Sequence, residues 1–112
     1  MTTEVTLDGA YLRFFMHQSA RQGGLLVSQW LLELAKSHKL GGGSVFRAIA
    51  GYGRHGVLHH EAFFELADDL PVKVEFLLRD GEADTLLQLV REAGVELVYA
   101  RTPAHIGILS KE

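Results

Sequence analysis

The chain has 112 residues, 47% hydrophobic and 22% charged, which is enough for one hydrophobic core and too little for two. Its net charge of −3 with neutral histidines leaves no surplus of Lys and Arg for a phosphate backbone, and this excludes a nucleic-acid binder. There is no cysteine, so disulfides, thiolate catalysis and Cys-ligated zinc are excluded, and a cytoplasmic location is expected.

Met1-Thr2-Thr3-Glu4 lacks the basic segment and apolar run of a signal peptide. Ala10 to His17 alternates, with Leu12, Phe14 and Met16 on one side and Tyr11, Arg13, Phe15 and His17 on the other; this reads as a strand covered on one face and partly covered on the second. Ser19 to Gly24 reads as a loop. Leu26, Trp30 and Leu34, with Val27, Leu31 and Ala35, make the stripe of a helix, with Lys36, His38 and Lys39 in its last turn and Gly41-Gly42-Gly43 as its stop. The most apolar part of this stretch, Leu25 to Ala35, is broken by Ser28, Gln29 and Glu33 and is too short to span a bilayer, so no membrane insertion is expected.

A second strand, Ser44 to Ala50, runs into Gly51-Tyr52-Gly53-Arg54-His55-Gly56. Three glycines in six residues open backbone torsions closed to other residues and let a ligand approach the main chain; Arg54 adds a fork of donors that matches phosphate. The segment reads as an anion cradle, and equally as a hairpin turn with a solvated arginine. Leu70 to Arg79 alternates as a third strand with Pro71 at its start or at an edge. Asp80-Gly81 opens a second helix whose buried face is Ala83, Leu86, Leu87, Val90 and Ala93, and Gly94 is its left-handed stop. Val95 to Arg101 is the fourth strand, ended by Thr102-Pro103, and the tail keeps an apolar patch at Ile106, Ile108 and Leu109.

The order βαββαβ with two right-handed crossovers predicts an α+β, ferredoxin-like sandwich: a four-stranded antiparallel sheet with both helices on one face, one domain over residues 1–112. The uncovered face would carry Arg13, Phe15, Arg47, Ile49, Lys73, Glu75 and Leu77, too apolar for a wet surface and too charged for a core, and a subunit interface accounts for that mixture.

Three passages then resemble the PII signalling superfamily, and most closely its uncharacterised short-loop, PII-like branch. They are Gly51-Tyr52-Gly53-Arg54-His55-Gly56, the proline-led Leu70-Pro71-Val72-Lys73-Val74-Glu75-Phe76, and Ala100-Arg101-Thr102. The resemblance implies a ferredoxin-like homotrimer that binds an adenine nucleotide as small-molecule effector in clefts between subunits and signals to a partner, with a membrane transporter or channel as candidate target. Carried over by position, Gly51, Gly53, Arg54, His55 and Arg101 would line that cleft. The segment from Arg54 to Asp69 is shorter than the signalling loop of the classical members and holds no tyrosine for modification. No glycine-rich phosphate segment stands near Asp80-Gly81. A small nucleotide such as AMP is therefore expected rather than a triphosphate. The segment is expected to be mobile up to His60 and ordered from Ala62 onward, where Phe63, Phe64 and Leu66 seek a surface.

The alternative is a trimeric metal binder resembling the divalent-cation tolerance family, with His59 and His60 beside Glu61 as ligands for a divalent metal. Adjacent histidines in an extended segment point apart, so such a site would need one histidine from each subunit. No enzyme is expected. Ser19, Ser28, Ser37 and Ser44 have no recognisable histidine and carboxylate beside them, and Asp68-Asp69 before Leu70-Pro71 reads as a turn cap.

Overall fold

The computed structural model describes residues 1–52, 58–60 and 70–111. The elements are β1 (Thr2–His17), β2 (Arg21–Gln22), β3 (Leu25–Leu26), α1 (Val27–Ser37), β4 (Gly43–Arg47), β5 (Ala50–Tyr52), β6 (Leu58–His60), β7 (Pro71–Arg79), α2 (Asp80–Ala93) and β8 (Val98–Lys111). The main sheet has the order β4-β7-β1-β8 and every pairing in it is antiparallel. This is the expected ferredoxin-like layout.

The two periodicities meet in one core. Even-numbered positions of β1 and β7 (Leu12 and Phe14, Val74, Phe76 and Leu78) turn their side chains to the helices. There they meet Val27, Leu31 and Ala35 of α1 and Ala83, Leu86, Leu87 and Val90 of α2. Phe14 and Phe76 pack edge to face, with centroids 6.2 Å apart and planes at 85°. Ala93, expected on the buried face of α2, is exposed one turn beyond Val90.

Both helix ends follow from backbone chemistry. Gly94 closes α2 with φ of 70°, as expected of a left-handed glycine. α1 ends differently from the reading above, because its left-handed residue is Lys39, with φ of 57°, and not the glycine triplet. The N–H of Leu40 reaches the carbonyl of Ala35 and that of Lys39 reaches Lys36, at 3.0 Å each, the bond pair of a Schellman stop. The triplet serves the next strand. A Cβ on Gly43 would stand 2.5–2.7 Å from the Phe76 ring, so only glycine lets β4 lie against it.

Four boundaries differ from expectation. The loop Ser19–Gly24 contains a small ribbon, β2 with β3, turned at Gly23 and Gly24, both at positive φ. The second strand is split at Ala48-Ile49 into β4 and β5, and β5 pairs with β6. The fourth strand starts at Val98 rather than Val95 and does not stop at Pro103. It continues to Lys111 because β8 is an edge strand, where a missing N–H need break no ladder bond. β1 likewise begins at Thr2. Since β7 pairs with β1 only over Gly9–His17, Thr2–Asp8 and His105–Lys111 form a two-stranded ribbon beyond the sheet.

On the uncovered sheet face stand Tyr11, Phe15, Phe46, Leu77 and Val98, each 37–49% exposed. Among them Arg13 donates to Glu75 at 2.8 Å, and Lys73 lies 3.9 Å from the same carboxylate. Two expected members are corrected: Arg47 faces Val72 and so lies on the helix side, with Phe46 opposite Lys73 in its place, and Ile49 falls in the break between β4 and β5, outside the sheet. Among the described residues no helix is long and apolar enough to cross a membrane.

Candidate functional site

The residues expected to hold an anion fall in two places. Gly51 lies in β5 opposite His59, in extended backbone and outside the left-handed region. An added Cβ there would meet Pro71 at an ordinary 3.5 Å. Its lack of a side chain therefore relieves no backbone strain and leaves a place where main chain can be approached. Gly53, Arg54 and His55 lie outside the described residues, as does the rest of the expected loop apart from Leu58–His60, which is a strand. The side chains of His59 and His60 are likewise outside them. Among the described residues no group of three or more His, Asp or Glu side chains is placed to hold a metal ion.

Arg101 lies across the sheet from that place. β8 carries it opposite Leu12, on the helix side, where it reaches the first turns of α2. Its Nη1 donates to Asp84 Oδ1 at 2.6 Å, and its Nη2 donates to Asp80 Oδ1 at 3.2 Å and to the Asp80 carbonyl at 3.4 Å. Asp80 and Asp84 are four residues apart on one helix, so both carboxylates meet one fork. The hydrogen bond to Asp84, then that to Asp80, holds the guanidinium protonated above its ordinary value.

Beside Arg101 opens a cleft of about 530 Å³ between the base of the ribbon and the start of α2, with Asp8, Asp80, Pro103 and His105 on its walls. His105 Nδ1 stands 3.3 Å from Asp8 Oδ1 across the β1–β8 pair. The cleft thus offers one fixed cation ringed by carboxylates, and a small anion reaching Arg101 must compete with them. Asp80, Asp84, Asp8 and His105 were not candidates from sequence. The spacing of Asp80 and Asp84 was the available signal, and it acquires meaning only once β8 is known to lie along α2.

The two places are separated within one chain. Arg101 is opposite Leu12, while Pro71, next to Gly51, is opposite His17. These levels are five residue steps apart along β1, roughly 17 Å at about 3.4 Å per residue. They also belong to opposite sides of the sheet order, β8 at one edge and β4, which leads into β5, at the other.

Residues 9–104 match the family model DUF190, "Uncharacterized ACR, COG1993". A UPF0166 protein of Aquifex aeolicus (strain VF5) is 35% identical over 96 residues, covering 79% of this chain and 91% of the relative. Among solved structures, the chain resembles CPII, a nitrogen regulatory PII-like protein from Thiomonas intermedia K12, bound to ADP, AMP and bicarbonate, with a TM-score of 0.64, 12% identity and 91% of each chain covered. The apo form of CPII aligns with a TM-score of 0.62 at 9% identity over 95% of this chain and 99% of that one. A sheet of order β4-β7-β1-β8 under two helices, shared with CPII at this level, is the PII-like fold, and the chain that carries it here belongs to the DUF190 family.

Proposed function

We propose that this protein is a PII-like regulator, not an enzyme, which binds an adenine nucleotide between the subunits of a homotrimer and signals its presence to a partner protein. The observation that carries this reading is the position of Arg101 on a charged cleft at one sheet edge, about 17 Å along the strands from Gly51. One copy keeps these two groups apart. A neighbouring copy that brings its β5 to this copy's β8 would unite backbone amides near Gly51, Gly53 and Arg54 with the Arg101 fork around one phosphate. The nucleotides named for CPII, ADP and AMP, support the ligand class. AMP is the first choice because a triphosphate asks for more donors than the described cleft offers. The uncovered face with its half-exposed apolar side chains supports assembly. The protein acts in the cytoplasm, and a membrane transporter or channel is the candidate target.

Calorimetry of the wild-type chain with AMP, ADP and ATP, together with sedimentation at micromolar concentration, tests this. AMP binding is expected, weakened by about 1.5–3 kcal/mol in Arg101→Ala and in Arg54→Ala, the scale of a hydrogen bond to a charged group. No binding at millimolar nucleotide, or a monomer in solution, overturns the reading.

A further inference from the structure

The Arg101 fork is already occupied. Nη1 is spent on Asp84 at 2.6 Å and Nη2 on Asp80 at 3.2 Å. A planar guanidinium grips a phosphate best with two parallel N–H groups, and here both terminal nitrogens point at α2. The local charge of the trio is net negative, two carboxylates against one cation. We infer that Asp84, with Asp80, is a gate on the anion site: a phosphate that takes the two terminal nitrogens of Arg101 together must displace these carboxylates, so they set the affinity threshold. This rests on the nucleotide reading above and adds the device that tunes it.

The gate has the properties that displacement requires. The Asp84 and Asp80 side chains are 70% and 61% exposed, so each can swing into water without leaving a buried charge. Partly exposed ion pairs are weak, worth about a kcal/mol or less, so a doubly charged phosphate outcompetes them where a singly charged carboxylate or bicarbonate gains little. The raised protonation of Arg101 agrees with a fork held by two anions. Asp8, on the opposite wall of the cleft, bonds to His105 and supplies a comparison: it adds negative charge nearby without occupying the fork.

Calorimetric titration of AMP into wild type, Asp84→Asn, Asp80→Asn, Asp8→Asn and Arg101→Ala tests the gate. Asp84→Asn is expected to bind AMP about two- to fivefold more tightly, on the scale of one released ion pair. Asp80→Asn should gain less, since its bond is longer, and Asp8→Asn less than Asp84→Asn. In wild type, AMP should also move the Asp84 carboxylate carbon resonance, and it should not do so in Arg101→Ala. Unchanged or weaker binding by Asp84→Asn overturns the gate. So does an equal gain in Asp8→Asn, which would mean general charge repulsion. In both cases the nucleotide reading survives if Arg101→Ala still weakens binding. If neither wild type nor Asp84→Asn binds AMP, both fall together.

Discussion

Glu82 accepts the backbone N–H of Gly41 across 3.2 Å while its other oxygen accepts the N–H of Arg79 at 3.0 Å. One carboxylate thereby closes the first turn of α2, satisfying a donor at the residue that precedes the helix, and ties that turn to the linker between α1 and β4. The two helices also meet through apolar side chains over the sheet.

Glu82→Ala removes both bonds and leaves the Gly41 N–H, at a half-buried position, without this partner. A loss of about 1–2 kcal/mol is expected, the scale of a lost cap with a further unpaired donor. Glu82→Gln keeps an acceptor oxygen and should recover part of it. Urea unfolding with a constant slope measures both, and an alanine variant as stable as wild type contradicts the role.

Lys39 holds a left-handed φ of 57° that a side chain disfavours by roughly 1–2 kcal/mol. Lys39→Gly relieves this strain, partly offset by the greater freedom of glycine in the unfolded chain. The variant should gain about 0.5–1 kcal/mol in the same unfolding experiment. A loss would show that the lysine side chain contributes more there than its backbone strain costs.

The contrast between those two residues shows how far the chain could be read in advance. The core was legible because Leu12 and Phe14, Val74 and Phe76 repeat every second residue and Leu31 and Ala35 every fourth, and burial follows those periods. The stop of α1 was not, since a glycine triplet looks like a terminator and a left-handed lysine has no sequence signature. The ribbon was missed for a similar reason. Pro103 reads as a break until β8 is known to be an edge strand, and Ile106 and Ile108 read as a tail until Leu7 and Val5 are found opposite them. Of the candidate site, Gly51 and Arg101 could be nominated by motif. The partners of Arg101 depend on a contact between β8 and α2 that no local pattern encodes.

The protonation of Arg101 makes a prediction about pH. Its folded value is raised, first by the Asp84 bond and then by the Asp80 bond. The stabilisation linked to that proton is fully present below the unfolded value, already far in the alkaline range, and is lost only as pH rises through the still higher folded one. The stability difference between wild type and Arg101→Gln should therefore be flat from about pH 7 to pH 10. Thermal unfolding at four pH values within that window measures it. A difference that shrinks steadily toward pH 10 would mean that a group other than Arg101 carries the titration linked to this contact.

The uncovered sheet face offers a test of the proposed assembly. Tyr11, Phe15, Phe46, Leu77 and Val98 leave apolar surface in water, and the charged side chains among them contact one another within the chain. Glu75 takes the Arg13 Nε–H at 2.8 Å and lies 3.9 Å from Lys73, Arg13 also reaches Thr102 at 3.3 Å, and Lys73 sits over the Phe46 ring at 4.8 Å. Two cations share one carboxylate here, so the ion cluster keeps a net positive charge, and burial against a copy favours a geometry that leaves these side chains paired or at the rim. As the homotrimer proposed above, wild type should sediment at about three times the 12.4 kDa of one chain. Leu77→Glu replaces half-exposed apolar surface with a carboxylate that must be desolvated on assembly, and should release monomers. Its far-UV circular dichroism should stay that of wild type, because Leu77 points away from the helices and contributes nothing to the core. In the same variant AMP affinity should fall with the assembly, since the two halves of the proposed site then stay apart. An assembled Leu77→Glu protein would assign the contact to another surface. A monomer that binds AMP as tightly as wild type would place the whole nucleotide site within one chain, against the separation of Gly51 and Arg101.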